Sequence, residues 1–490
     1  MKRAINYSAI TRMMGVLFLV LGIALAPPLL VALLYREGRE ALCFLMVSVP
    51  CLLAGILLLR LFNPRDLRAK QREGYFIVTL FWLIGSVVGA LPLIASGALP
   101  NPFDAFFEIC SGFSTTGSTV MNHIEDQARS ILFWRSFTHW LGGMGIVCFA
   151  AAFMPSIGIG AQTVASAETP GPTLSKLTAR FSDSVRNLYK LYIAFTLILT
   201  GLLMLGGMSL YDALIHTFGT VGTGGFSNYS DSIAHFQSPY IEWVLILFMI
   251  LCGINFNLYF YLSAGRSKKF FQDEELRLYL GIIATFSLLI ALTLYRREGY
   301  PSVGEAVRDA AFHVSSLITT TGYVTRDYDL WPAFCKVLLI LVMVSGASSS
   351  STGGGIKVVR LLAAVKYMRR SILLRLYPNR LADIKMNGTN IPNSVVTGII
   401  NFLFFYILLL LTGTLLVSGD GFSLTTNLTA CLTCLSNVGP GLGRVGPTMN
   451  FADFSNFSKL VLALLMLAGR LEIYTFFIGF SRHFWDSNRA

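Results

Sequence analysis

Charge is scarce in this chain. Asp, Glu, Lys and Arg make up 13% of its 490 residues, about half of the quarter that a soluble protein carries. That shortage excludes an ordinary water-soluble globular fold. Its eight cysteines are scattered, mostly within apolar runs, which excludes a disulfide framework. Cys431 and Cys434 form a CxxC, but it lies in an apolar segment with no matching pair, so no metal site is expected there. Histidine is rare, and the one histidine after Ser348 is His483. The "GASS" at 346–349 therefore lacks the base that an intramembrane serine protease needs, and Ser349 stands where such a protease has glycine. "GGGIKV" has no glycine directly before Lys357 and no Ser or Thr after it, which excludes a nucleotide P-loop. No enzyme is expected. The N-terminal apolar run has no small-residue cleavage site and reads as a retained span.

Long apolar runs are what the chain has in abundance. About ten stretches reach the roughly 20 residues that a bilayer requires: near 12–34, 41–62, 75–97, 130–156, 187–209, 239–264, 275–295, 332–372 (interrupted), 394–418 and 456–481. The expected fold is an all-α polytopic membrane protein. The net charge of +12 collects in particular loops. Lys2, Arg3 and Arg12 precede the first span. Arg60, Arg65, Arg68, Lys70 and Arg72 form a cluster, as do Lys176, Arg180, Arg186 and Lys190, then Arg266, Lys268, Lys269 and Arg277. The richest runs from Lys357 to Lys385. If the spans alternate, these all face one side, which is then cytoplasmic, with both chain termini. The charge thus orients the protein in membrane lipid, and nucleic acid is not expected as a partner. Segment 296–330, on the other side, carries Arg296, Arg297, Arg308 and Arg326, but Glu298, Glu305, Asp309, Asp327 and Asp329 offset them.

Within the greasy background lies a repeat. "DAFFEICSGFSTTGS" runs from Asp104 and reaches Gly117 thirteen residues on. Asp212 opens "DALIHTFGTVGTGGF" and reaches Gly225 at the same distance. "DAAFHVSSLITTTGY" links Asp309 to Gly322, and a weaker copy, "TNLTACLTCLSNVGP", links Thr426 to Gly439. In each, Asp or Thr is expected to cap a helix by accepting backbone N–H bonds. The helix is about three turns long, too short to span, and so re-entrant. A Thr- and Gly-rich extended stretch follows. Each copy lies between two spans, giving four units of span, half-helix, loop and span. Irregular backbone at membrane depth is tolerated only when buried in protein or lining a wet cavity, so four such loops on one axis predict a central pore. Successive carbonyls of such a stretch can replace the water shell of K⁺, and half-helix C-termini favour a cation nearby. A secondary transporter built from inverted halves fits less well than four parallel copies. His216 and His313 sit four residues after their Asp, where the first copy has Glu108; helix packing is the expected role.

The motifs "GFSTTGST" (112–119), "HWLGGMGIV" (139–147), "AETPGP" (167–172), "GTGGFSN" (222–228), "TTTGY" (319–323), "GASSSSTGGGIK" (346–357), "NVGPGLG" (437–443) and "AGRLEIYT" (468–475) together resemble the Trk/Ktr/HKT superfamily of cation transporters, and most of all its TrkH-type membrane subunit. The resemblance covers almost the whole chain. It implies one chain imitating a tetrameric K⁺ channel. Residues 1–70 would hold two extra N-terminal spans, and the pore repeats would cover 71–160, 161–265, 266–385 and 386–490. The filter would comprise Thr115, Thr116 and Gly117; Thr223, Gly224 and Gly225; Thr320, Thr321 and Gly322; and Asn437, Val438 and Gly439. Glycine at all four final positions favours K⁺, while the fourth copy departs from the Thr-Thr-Gly pattern. A Na⁺ or broad monovalent-cation pathway is the runner-up, along with a proton- or Na⁺-coupled K⁺ symporter. The resemblance further implies a bacterial inner-membrane homodimer with a nucleotide-binding regulatory subunit of the TrkA/KtrA type docked on the basic loops. The transported ion is K⁺, with no organic cofactor in this chain.

Ser and Gly break helices, and "GASSSSTGGGIK" interrupts the span at 332–372. Family resemblance makes 346–355 an intramembrane gating loop under the filter. Its expected residues are Gly346, Ser348, Ser349, Ser350, Gly353, Gly354, Gly355 and Lys357. Arg470 falls mid-span in 456–481, where an arginine is costly and suggests function. It is expected to face the pore below the filter, repel cations and donate to carbonyls of the loop.

Overall fold

The computed structural model describes residues 6–62, 71–145, 181–379, 383–479, 481 and 484. The "AETPGP" motif, Arg65, Arg68, Lys70, Lys176, Arg180, the end of the span expected at 130–156 and both chain termini lie outside the described residues.

Among the described residues, six helices are long and apolar enough to cross a membrane: Tyr7–Leu34, Gly38–Leu61, Glu73–Ser96, Asn187–Leu205, Glu274–Arg297 and Asn393–Asp420. A seventh candidate is a pair, Pro239–Gly253 and Phe256–Ser263, bent by 95°. The chain is thus an all-helical polytopic membrane protein. A two-residue hairpin, Lys385–Met386 against Thr389–Asn390, is the β pairing among the described residues. Large apolar side chains on the long helices, such as Leu197, Leu288, Leu411 and Leu415, are exposed. On a soluble protein such a coat would be a liability; in a bilayer it meets acyl chains.

The count of ten expected spans is reduced because four of them stop early or bend. Arg129–Gly143 ends at Gly142-Gly143, with Gly145 at φ 76°. Pro239–Gly253 stops where Asn255 caps a new helix by accepting from Asn257 N. Ala333–Ser345 ends on Gly346 at φ 66°. Asn456–Arg470 ends as Glu472 and Ile473 take φ 61° and 54°. A 15-residue helix is only about 22 Å long, against about 30 Å of hydrocarbon.

Ahead of each of these four lies a short helix: Pro102–Phe113, Leu210–Gly222, Val303–Ile318 and Leu424–Ser436. Most of their residues are buried, polar ones such as Glu108, His216 and His313 included. The capping residues differ from expectation. Asn101, Ser209, Ser302 and Ser423 are the N-caps, each accepting a backbone N–H with its side chain. Asp104, Asp212 and Thr426 lie three residues further on, inside the first turn, where a carboxylate still favours the positive helix end. The third helix starts earlier, so Asp309 falls in its second turn. There it is buried and accepts from Tyr300 Oη at 3.1 Å and Arg326 Nε at 3.3 Å.

Candidate functional site

All four short helices end the same way. A residue directly after the second and fourth helices, and one place further on after the first and third, takes left-handed backbone angles: Thr115 φ 57°, Thr223 φ 58°, Thr320 φ 59° and Asn437 φ 56°. Its N–H bonds three residues back, to Gly112, Thr220, Leu317 and Cys434 carbonyls respectively, at 3.1–3.3 Å. The next N–H bonds five residues back, to Ser111, Gly219, Ser316 and Thr433 carbonyls, at 2.7–2.9 Å. This is the Schellman arrangement. A β-branched threonine in that region is a strained choice, and three of the four ends make it. With their amides turned back onto their own helices, these residues have carbonyls free to meet their neighbours.

Those carbonyls close a ring. A Cβ built on Gly117 would lie 2.1 Å from Gly224 O, on Gly225 1.8 Å from Thr321 O, on Gly322 2.2 Å from Val438 O, and on Gly439 2.8 Å from Thr116 O. Each glycine therefore abuts the carbonyl that precedes the glycine of the next unit, and the fourth returns to the first. The four glycines also hold positive φ, from 77° to 105°. Eight of the twelve residues singled out from sequence make these contacts, and the other four, Thr115, Thr223, Thr320 and Asn437, directly precede them in the chain. The Thr, Asn and Val residues among the twelve are buried.

Polar braces stand behind the ring. Glu108 Oε2 accepts from Val120 N at 2.9 Å, and its Oε1 meets Arg135 Nε at 2.5 Å. Arg135 Nη1 donates to Ser227 O at 3.0 Å, tying the first unit to the second. His216 Nε2 lies 3.0 Å from Ser227 Oγ, and His313 Nε2 lies 3.1 Å from Arg326 O. Glu108, His216 and His313 thus each pin the chain leaving the ring to its own short helix. In the fourth unit Thr429 Oγ1 accepts from Leu442 N at 3.1 Å. Tyr323 Oη donates to His216 O at 3.0 Å, joining the third unit to the second.

Directly against the ring lies the Ser/Gly loop, and it is packed in protein: Ser350 and Gly355 are half-buried, and the rest of 346–355 is buried. Gly354 N donates to Thr320 Oγ1 at 2.7 Å. A Cβ on Gly353 would stand 2.7 Å from Thr319 O, and one on Gly354 2.3 Å from Ser436 O, so these two positions admit only glycine. Gly346 and Gly355 pass each other closely, a Cβ on Gly355 falling 2.6 Å from Gly346 Cα. Ser348 N donates to Gly253 O, and Ser350 O accepts from Phe256 N, which docks the loop into the bend of the broken span. Glu275 grips Ser349, accepting from its N at 2.5 Å and its Oγ at 2.7 Å. Lys357 is buried and donates from Nζ to Gly353 O.

The span expected at 456–481 is broken at Arg470. Arg470 is the last residue of its helix. Its Nη1 donates to Thr352 O at 2.7 Å and approaches Thr115 Oγ1 at 3.4 Å; its Nη2 donates to Gly142 O at 2.6 Å and Gly143 O at 2.8 Å. One guanidinium fork therefore joins the loop, the ring and the early end of the helix Arg129–Gly143. Glu472 instead pairs with Arg360. Sequence reading missed Glu275, the Gly253–Asn255 bend and the Gly142–Gly143 carbonyls. An acidic residue at the edge of a span, in "DEE" at 273–275, is the signal that points to the first. No group of His, Cys, Asp or Glu suited to a metal ion occurs among the described residues; Cys431 and Cys434 are buried free thiols.

Membrane-length helices, together with four short helices whose ends meet in one ring of backbone carbonyls, define a multi-spanning membrane protein with a polar centre. The family described as TrkH, cation transport protein, matches residues 44–487. The chain is 34% identical to the Trk system potassium uptake protein TrkH of Escherichia coli K12, over 98% of this chain and 99% of that one. It is 32% identical to the Trk system potassium uptake protein TrkG of the same strain, over 98% of each chain. The crystal structure of the potassium transporter TrkH from Vibrio parahaemolyticus superposes with a TM-score of 0.88 at 32% identity, covering 98% of this chain and all of that one. The chain belongs to the TrkH family of cation transport proteins, a family of transporters rather than enzymes.

Proposed function

We propose that the chain is a K⁺ uptake transporter of the bacterial inner membrane, in which the four-part ring is the selectivity filter. The carrying observation is the cyclic contact of each glycine with the next unit's carbonyl: rings of carbonyls can replace the hydration shell of K⁺ without a fixed carboxylate. The pore repeats run over 71–160, 161–265, 266–385 and 386–490, after two N-terminal helices in 1–70, and ten membrane-crossing segments result if each interrupted helix and its continuation are counted as one. The names of the similar proteins support K⁺ as cargo.

Loop 346–355 and Arg470 act as the gate. K⁺ enters from outside, sheds water in the ring, and passes the loop only when it moves. The protein works as a homodimer with both termini cytoplasmic, and a nucleotide-binding regulatory subunit docks on the basic loops; family resemblance supports this assembly.

The test is Rb⁺ tracer uptake into liposomes holding the purified protein, with K⁺, Na⁺ and Li⁺ as competitors. Competition by K⁺ alone is the expected result. Equal competition by Na⁺ would remove the K⁺ assignment and point to the Asn437-Val438-Gly439 segment. The gate makes its own prediction at Glu275. Hydrogen bonds to a charged group contribute roughly 1.5 kcal/mol or more, so Glu275→Ala should raise basal Rb⁺ efflux about tenfold. Wild-type efflux from Glu275→Ala protein inserted at normal levels would count against a latch at Ser349.

A further inference from the structure

Position 224 departs from the pattern of the other three ring segments. Thr116, Thr321 and Val438 precede their glycines, whereas the second unit has Gly224. Its backbone does not require glycine, because the positive φ of this segment lies at Thr223 and Gly225. What requires it is a side chain from another unit. A Cβ on Gly224 would lie 2.3 Å from Cγ and Nδ1 of His139 and 2.6 Å from Cδ2. The imidazole occupies the space that a residue at 224 would need.

His139 belongs to Arg129–Gly143 and is fully buried. Both ring nitrogens have partners. Nδ1 lies 2.7 Å from Gly112 O, and Nε2 accepts from Phe226 N at 3.3 Å. That network assigns the proton to Nδ1 and leaves the ring neutral. The ring also lies over Phe226, with centroids 4.2 Å apart. In the first and third units the braces are internal to the segment: Thr116 Oγ1 is 2.7 Å from Ser114 Oγ, and Thr321 Oγ1 is 2.8 Å from Thr319 Oγ1; Thr116 Oγ1 also accepts from Asn437 Nδ2 of the fourth unit at 3.0 Å, whose own Val438 has no hydroxyl. The second unit has Gly222 and Gly224 at the two corresponding places and so has neither hydroxyl.

We propose that His139 is a positioning residue that sets the preference for K⁺ over Na⁺. It substitutes for the missing internal brace and fixes the Gly224 carbonyl, the one that abuts Gly117. The proposal rests on the reading of the ring as a cation filter. Interiors pack too tightly to leave such a volume unfilled without movement, and a carbonyl ring selects by the placement of its oxygens.

The test measures Rb⁺ uptake into liposomes and the ratio of Na⁺ to K⁺ competition, normalised to inserted protein, for the wild type and three variants. His139→Ala should improve Na⁺ competition relative to K⁺ by about tenfold while uptake persists, because a loosened carbonyl ring loses discrimination before it loses conduction. Gly224→Thr places the side chain of the first and third units in the space of the imidazole and should lose uptake. The double variant His139→Ala with Gly224→Thr should regain uptake and K⁺ preference, since the threonine then fills the volume the histidine left. A wild-type ratio in His139→Ala, normal uptake in Gly224→Thr, or a double variant no better than Gly224→Thr would each overturn the proposal. The comparison of Gly224→Thr with the double variant decides the matter where His139→Ala alone does not insert. If the wild type itself does not distinguish K⁺ from Na⁺, the filter reading fails and this proposal with it; if the wild type distinguishes them and His139→Ala does so equally, only this proposal fails.

Discussion

Gly225→Ala is expected to lower Rb⁺ uptake about 100-fold per inserted molecule, the consequence of roughly 3 kcal/mol of distortion in the ring. Two costs add. Gly225 holds φ 79°, where an L-residue with a Cβ loses about 1–2 kcal/mol. The new methyl would also stand 1.8 Å from Thr321 O, so the third unit's carbonyl must move. A control separates the two. Gly207 holds φ 95° with nothing within 4 Å of its Cβ position, so Gly207→Ala imposes the backbone strain without touching the ring. It should keep near-normal uptake. Equal loss in both variants would mean that misfolding, and not the ring, is being measured; full uptake by Gly225→Ala would show that ions take another route.

Arg470→Ala is expected to have the second largest effect, in the opposite direction. Two unit charges about 8 Å apart repel by roughly 2 kcal/mol at an effective dielectric near 20, so basal Rb⁺ flux should rise about thirtyfold when this cation is removed. The variant also frees Thr352 O, Gly142 O and Gly143 O, which Arg470 now joins. Arg470→Lys tells charge from bridging. Lysine keeps the charge but not the planar fork, so it should give a smaller rise. Flux from loaded liposomes is the measurement. Unchanged or lower flux in Arg470→Ala, at normal insertion, would remove the arginine from the proposed gate. If lysine and alanine behave alike, the bridge matters and the charge does not.

Much of the ring was legible in the chain because its parts recur. The thirteen-residue spacing to Gly117, Gly225, Gly322 and Gly439 survives a weak fourth copy, since each copy must build the same short helix and the same end. The expectation that Asp or Thr caps these helices was misplaced by three residues or more. Asn and Ser compete for the cap with equal effect, and the side chain that recurs most visibly need not be the one that wins. The Ser/Gly loop was legible as a break because glycine and serine disfavour helix locally. The three other breaks were not. Gly142-Gly143, Gly253 and Leu471–Ile473 sit in apolar surroundings that read as continuous spans, and what stops those helices is the partner each end finds: Arg470 for the Gly142 and Gly143 carbonyls, the Ser/Gly loop for Gly253 O.

The sequence by itself determined the membrane-spanning character, the fourfold repeat, the site of the Ser/Gly interruption and the residues that enter the ring. These are local properties, set by hydropathy, by spacing and by the backbone freedom of glycine. Only the tertiary structure decided that the four segments close head to tail, that Glu275 holds Ser349, that Arg470 ends a helix and joins three elements, and that an imidazole from one unit occupies the space of a side chain in the next. Each of those is a contact between groups tens to hundreds of residues apart. No local preference encodes such a contact, because it exists only once the chain is packed and a buried polar group must find a partner from whatever the fold brings near.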